Sequence, residues 1–162
     1  MWTLFFGRHP RRALARAAVL VVAALILFGG VLLPVRGEGP SMSPTFEQGD
    51  LVFVNRLGYL RSSPARGDIV AVRLAGARVV YLKRIVGLPG ERVGIAEGVV
   101  RVNGAPLDEP YVRKRRAWTT GEVTLGSDEY LVIGDNRGMA MGAHAFGKVR
   151  RARIVGPVVR LR

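Results

Sequence analysis

Apolar and polar positions divide this chain into two unlike parts. From Ala17 to Leu33 the residues AAVLVVAALILFGGVLL form one apolar run without a charge. After Arg36 the apolar positions fall into short runs separated by Gly, Pro, Asn and Asp. A run of roughly 17–20 apolar residues is long enough to cross the hydrocarbon core of a bilayer as a helix. Short runs rich in Val and Ile, bounded by turn residues, are the pattern of strands. The pattern predicts a transmembrane helix over 17–35, with Pro34 and Val35 at its end, followed by a mostly β domain over 36–162.

The strands can be placed from their punctuation. DLVFV at 50–54 reads as a buried strand entered through a turn at Gly49. SSPARGD at 62–68 is a loop, and the strand DIVAVRL leads from it to a turn at Ala75-Gly76-Ala77. RVVYLKRIVG at 78–87 is a second strand, closed by the tight turn LPGE. In RVGIAEGVVRVNG, Val93 and Ile95 alternate, Glu97-Gly98 turns, and Val100 and Val102 alternate back, which predicts a hairpin. Asn103-Gly104 is a further turn, and the hairpin opens an insertion over 92–128. Residues 105–121 are polar and irregular. EYLVIGDNR at 129–137 is a strand ending in a turn, and ARIVGPVVRLR closes the chain as a strand pair broken at Gly156-Pro157. Helical periodicity is scarce after Val35, so a sheet or barrel-like core is expected.

Charge adds direction to this picture. The 162 residues carry a formal net charge of +13, densest in RHPRRALAR near the start, RKRR at 113–116 and KVRRAR at 148–153. Arg8, Arg11, Arg12 and Arg16 precede the apolar run. Positive residues stay on the cytoplasmic side, so residues 1–16 form a basic cytoplasmic N-terminus and the β domain lies outside the cell membrane. A cleaved signal peptide has the same basic-then-apolar order. Pro34, Val35, Arg36, Gly37 and Glu38 offer no small-x-small cleavage site, so a retained anchor is expected. The aromatics of MWTLFF are expected at the membrane interface.

Strong basicity suits nucleic acid, an anionic membrane surface or a solvated face. No nucleic-acid motif is present, aromatics are few, and the anchor puts the basic face outside the cytoplasm. The expected partner is the lipid bilayer, with no nucleic acid. The chain has no cysteine, which excludes disulfides, thiolate catalysis and Cys-based metal sites. No metal and no cofactor are expected.

The chemistry centres on EGPSMSPTF, where Ser41 sits between Pro40 and Met42. A serine hydroxyl is a poor nucleophile until a neighbour takes its proton. The two histidines, His9 and His144, lie in the basic tail and far downstream. Lys83, inside VVYLKRIVG, is the candidate base. Val80, Tyr81, Leu82 and Ile85 give it apolar neighbours, and burial disfavours the ammonium. A lysine acting near neutrality has to fall ~2–3 pKa units from about 10.4, worth roughly 3–4 kcal/mol. Serine–lysine pairs are a variant of the triad logic. The residues alone leave other readings open: Lys83 as an edge-strand lysine, and Ser41 as a cap or turn residue in an extended SMSPT entry.

Four stretches change the balance. SMSPTF at 41–46, RGDIV at 66–70, YLKRIVGLPGE at 81–91 and GDNR at 134–137 occur in this order behind an apolar helix. Together they resemble the type I signal peptidase family of bacteria and organelles, over residues 36 to about 160. The resemblance implies a mostly antiparallel β domain with its active site close to the membrane. It implies a Ser–Lys endopeptidase that removes signal peptides from exported preproteins, cutting after small residues in an A-x-A pattern. On that resemblance Ser41 is the nucleophile and Lys83 the general base. The Ser41 N–H is an oxyanion donor, and Gly39 stands where some relatives carry a helping serine hydroxyl. Arg84, Asp135, Asn136 and Arg137 support the site. Pro40, Met42, Val80, Tyr81 and Leu82 neighbour an extended substrate that adds to strand edges. The histidine-based relatives of the endoplasmic reticulum match less well, because residue 83 is lysine.

The last stretch departs from the family pattern, GDNRxxSxDSR. In GDNRGMAMGAHAFG its serine, aspartate, second serine and arginine fall on Ala140, Gly142, Ala143 and His144. The resemblance implies that the first serine hydrogen-bonds the base lysine and that the aspartate belongs to a salt-bridge cluster. Ala140 and Gly142 can do neither, whereas Arg84 and Asp135 can still pair. An unmet hydrogen bond at a buried lysine costs ~1–3 kcal/mol, which slows a reaction roughly 10- to 100-fold. The alternative is an impaired homologue that serves as a membrane-anchored binding or regulatory module. Self-cleaving repressors share the dyad, but here a membrane helix stands in place of a DNA-binding domain.

Overall fold

The computed structural model describes residues 10–74 and 80–159. The MWTLFF aromatics, the turn at Ala75-Gly76-Ala77 and the last three residues lie outside the described residues. The chain opens with helix α1, Pro10–Ile26, which widens into a π-helical turn over Leu27–Val31. Residues Arg11–Val31 make a helix long and apolar enough to cross a membrane, with none of it buried against the rest of the protein. A helix that is apolar all round has no aqueous surface to offer, which is the pattern of a core or membrane segment.

The apolar run read as helical to Val35 changes conformation before its end. Leu32–Arg36 is strand β1, paired antiparallel with β2, Leu51–Asn55, in the register Leu32↔Asn55 to Arg36↔Leu51. Backbone groups there bond to β2 instead of to a helix turn, and Pro34 is tolerated because β1 is an edge strand. Arg56 fastens the junction, its N–H donating to the Val31 carbonyl at 2.9 Å and its Nη1 to the Gly29 carbonyl at 3.2 Å.

The remaining strands are β3 Ile69–Val72, β4 Tyr81–Gly87, β5 Arg92–Ala96, β6 Val99–Val102, β7 Ala105–Pro106, β8 Thr120–Thr124, β9 Glu129–Ile133, β10 Gly147–Arg150 and β11 Ile154–Val159. They build two antiparallel sheets, one ordered β1-β2-β11-β3-β4-β9-β10 and one ordered β7-β6-β5-β8. The second sheet grows from the hairpin seen in the sequence. Glu97-Gly98 and Asn103-Gly104 both turn with positive φ at each residue, the conformation that twists a two-residue loop to match its strands. Strand β8 falls in the polar stretch and shows no alternation, since it is largely exposed.

The closing segment is a single strand and not a pair. Strand β11 pairs with β3 through Ile154, Gly156 and Pro157, then passes to β2 through Val158 and Val159. The irregularity falls at Gly156, where a Cβ would stand 2.1 Å from the Asn55 carbonyl oxygen. Only glycine allows the two backbones to approach so closely.

Strand β4 joins three apolar clusters. Leu82 packs with Met42, Phe46, Val52, Val54 and Ala71. Ile85 packs with Val70, Val72, Tyr130 and Val132. Val86 packs with Val93, Ile95, Trp118, Leu131 and Ile133 between the sheets. Truncating a fully buried Ile to Ala typically removes about 2–5 kcal/mol. Ile85→Ala should therefore lower the unfolding free energy by that amount in urea titration of the full chain in detergent, whereas Leu60→Ala, at an exposed position, should leave it nearly unchanged.

Candidate active site

Two segments meet at the site. Ser41 lies in a turn that follows β1, and Met42 and Phe46 bury themselves in the cluster beneath it. This anchors the turn, and the half-buried serine stays at its surface. Lys83 lies in the middle of β4, opposite Val70 of β3, and is 1% exposed. Its Nζ donates to Ser41 Oγ at 2.7 Å. Burial drives the Lys83 pKa down from 10.5 to about 8, and the Asp135 carboxylate opposes this only in part. Desolvation penalises the ammonium and leaves the neutral amine untouched. Lys83 is thus not a solvated edge-strand lysine, because it is fully buried and paired with β3.

Asp135 is weak against Lys83 because other groups hold it. Arg84, the next residue on β4, donates to both of its carboxylate oxygens, from Nε at 2.9 Å and Nη2 at 2.6 Å. The Thr45 hydroxyl donates to the same carboxylate. A bidentate guanidinium–carboxylate pair is the stronger class of such contacts. The Arg84 Nη1 also reaches the Gly67 carbonyl at 2.7 Å, which ties the RGDIV stretch to the strand that carries Lys83. Asn136 holds the serine turn, its Nδ2 donating to the Pro40 carbonyl at 3.0 Å and its N–H to the Ser41 carbonyl at 3.1 Å. Arg137 is buried, with Nε on the Gly134 carbonyl at 2.9 Å and its outer nitrogens on Glu109.

A groove of about 320 Å³ leads to Ser41. Val35, Gly39, Met42, Val80, Tyr81 and Leu82 are among the residues that line it. Strand β4 pairs with β9 only from Arg84 onward, so its start has no strand partner on that side among the described residues. Pro40 does not line the groove.

A family model of signal peptidases, peptidase S26, matches residues 11–161. The chain belongs to the signal peptidase family. It is 38% identical over 155 residues to signal peptidase I of Bacillus caldolyticus, covering 87% of this chain and 84% of that one. It is 37% identical over 122 residues to the probable signal peptidase I-2 of a Synechocystis strain, covering 72% of this chain and 56% of the relative. It also spans 63% of signal peptidase I of Leptolyngbya laminosa, so two of these relatives are considerably longer. A solved signal peptidase I from Enterococcus faecalis is 30% identical and aligns over 60% of this chain and 98% of its own, with a TM-score of 0.46.

Within this signal peptidase fold, the departures of the last motif take a definite shape. Ala140 is exposed, and Gly142 has open space where a Cβ would be. The buried member of that stretch is His144, 4% exposed, with its ring edge-on to Trp118 at 5.1 Å between centroids. Gly134 makes room for it, since a Cβ there would lie 2.6 Å from His144 Cε1 and 2.1 Å from the Ser41 carbonyl oxygen. Neither buried ring nitrogen has a partner at full hydrogen-bond geometry among the described residues, although the Ser41 and Ala145 backbone groups lie near enough to favour the charged ring weakly. Burial, then the charges of Lys83 and Arg137, lower the His144 pKa from 6.5 to about 4, while backbone groups of Ser41 and Ala145 oppose the shift.

Glu109, Tyr111, Thr45 and Trp118 had no signal of their own in the sequence. Glu109 is a buried acid in the stretch read as irregular, and it pairs with Arg137 and, at 3.6 Å, with Arg115. Tyr111 donates to Glu109 at 2.9 Å, and its ring lies 3.9 Å from the Arg84 guanidinium carbon. Burial, reinforced by Glu109, raises the Tyr111 pKa and keeps the phenol neutral. The nearest hint is the acidic pair Asp108-Glu109, which three residues separate from the RKRR run.

The His144 shift has a measurable consequence. The unfolded chain takes up the imidazole proton near pH 6.5, and the folded chain does so only near pH 4. The neutral buried ring therefore contributes stability above pH 6.5 that is lost as pH falls towards 4. The unfolding free energy of wild type should drop more steeply across that window than that of His144→Gln, measured by denaturant titration at successive pH values.

Proposed function

We propose that this chain is a membrane-anchored serine endopeptidase that removes signal peptides from exported preproteins with a Ser41–Lys83 dyad. The observation that carries the reading is the 2.7 Å contact between a fully buried lysine amine and the serine hydroxyl. Neutral Lys83 takes the Ser41 proton as Oγ attacks the scissile carbonyl. The tetrahedral oxyanion needs preorganised donors. The Ser41 N–H makes no hydrogen bond among the described residues and is available for it. Gly39 adds no side-chain donor beside it. Lys83 then returns the proton to the leaving amine, the ester forms, and a water activated by the same amine hydrolyses it.

The groove supplies the substrate's course. An extended chain can add its backbone to the unpaired start of β4, next to Val80, Tyr81 and Leu82, with Met42 also lining the groove. The apolar side chains Val35, Met42, Val80 and Leu82 along the groove are compatible with the small apolar side chains of an A-x-A sequence. The apolar helix, with Arg11, Arg12 and Arg16 in its first two turns, supports a cytoplasmic N-terminus with the β domain outside. Bilayer and preprotein are then the two partners.

One observation favours a second reading, that of an impaired binding module. Among the described residues Lys83 has no hydrogen-bonding side chain beside it except Ser41, and Ala140 is exposed. The dyad reading predicts that the purified full chain in detergent cleaves a preprotein after the second alanine of A-x-A, located by mass spectrometry. Ser41→Ala and Lys83→Ala should each lower the rate about a thousandfold or more. Wild type as inert as both variants, with all three folded, would establish the binding-module reading instead.

A further inference from the structure

A second concavity borders the nucleophile turn, on the side away from the groove. It holds about 200 Å³ and is lined by Ser43, Pro44, Arg113, Lys114, Asp135 and Asn136. The groove is lined by residues 35–39, by 80–82 and by Met42, Phe46 and Glu47, and it shares no lining residue with this pocket, which meets the serine turn at Ser43 and Pro44. Asn136 joins the two through its bond to the Ser41 carbonyl. A peptide that enters along the groove and presents its scissile carbonyl to Ser41 leaves over Ser43, Pro44 and Asn136.

Charge accounting gives the pocket its character. Asp135 is its only acid, and Arg84 and Thr45 hold that carboxylate. Arg115 turns to Glu109. Arg113 and Lys114 are exposed and make no ion pair or hydrogen bond among the described residues. They are nevertheless held in place. Buried Glu109 grips Arg137, Tyr111 lies against Arg84, and the Arg116 N–H donates to the Arg137 carbonyl at 3.0 Å. The polar stretch is thereby strapped across the GDNR turn with two free cations facing the exit.

We propose that this pocket is a specificity site for an acidic side chain within the first few residues after the cut. The inference rests on the endopeptidase reading. A peptide is favoured over a lipid headgroup because Asn136, which lines the pocket, holds the Ser41 turn through the Pro40 and Ser41 carbonyls, so the pocket adjoins the point where the chain would be cut.

The test uses the full chain in neutral detergent and three A-x-A peptides that differ only at the second and third residues after the cut. These two residues are Asp, Asn or Lys in the three peptides. Exposed ion pairs are each worth well under 1 kcal/mol, so wild type should prefer the Asp peptide over the Asn peptide by about three- to tenfold in kcat/KM. The preference should shrink towards unity near 1 M salt. Arg113→Ala with Lys114→Ala should abolish it while leaving the Asn peptide's rate unchanged. Arg113→Glu with Lys114→Glu should invert it in favour of Lys. Equal rates in wild type, or a preference that survives the double variants, overturns the proposal. It is likewise overturned if the variants lose only adhesion to phosphatidylglycerol vesicles, which assigns the cations to headgroups. The Asn peptide separates the two failures: if wild type does not cut it, the endopeptidase reading falls and takes this inference with it.

Discussion

A lysine in the middle of a central strand cannot keep its ammonium hydrated, and the organisation of this site follows from that constraint. Strand β4 runs between β3 and β9, and neighbours of Lys83 reach three separate apolar clusters. A buried cation has to find a counter-charge or lose its proton. The nearest carboxylate, Asp135, already has the Arg84 guanidinium across both oxygens. Burial therefore prevails, the amine's pKa moves towards neutrality, and its hydrogen bond goes to Ser41. The same strand thus makes a weak acid of Lys83 and, one residue later, provides the guanidinium that keeps Asp135 from restoring its charge.

The supporting architecture keeps these two residues apart in their electrostatics while close in space. Asn136 fixes the serine turn through its backbone carbonyls. Arg137 and Glu109 form a buried pair that carries the polar stretch of the second sheet up against the GDNR turn. Breaking one partner of a buried pair leaves an uncompensated charge, which costs far more than the pair contributes while intact. The RGDIV and GDNR motifs belong to this frame, Gly67 through its carbonyl on Arg84 and Asp135 through its carboxylate. His144 fills the space beside Gly134 as a neutral packed ring, a different solution from a hydroxyl or a charge at that end of the site.

Much of the frame is legible in the sequence because it rests on local rules. The apolar helix, the Glu97-Gly98 hairpin and the strand around Lys83 follow from periodicity and turn chemistry, and the Arg84–Asp135 pair from the family resemblance. What escapes is set by long-range contact. Strand β1 hides inside the apolar run, since hydrophobicity alone does not tell the last residues of a helix from an edge strand that pairs with β2. Strand β8 hides in a polar stretch because almost nothing of it is buried. Glu109 gives no local sign of burial, as its partner Arg137 lies in a distant turn. Motif alignment points to Ala140 as the residue beside the base, whereas the chain exposes it and buries His144.

The most direct measurement is the side-chain titration of Lys83 itself, by NMR of the full chain in micelles with isotope-labelled lysine and Lys83→Arg for assignment. The account predicts an amine that loses its proton near pH 8, more than two units below an ordinary lysine. A Lys83 that titrates near 10.5 in the folded chain would contradict it, because only roughly one amine in three thousand would then be neutral at pH 7, against about one in ten at a pKa near 8.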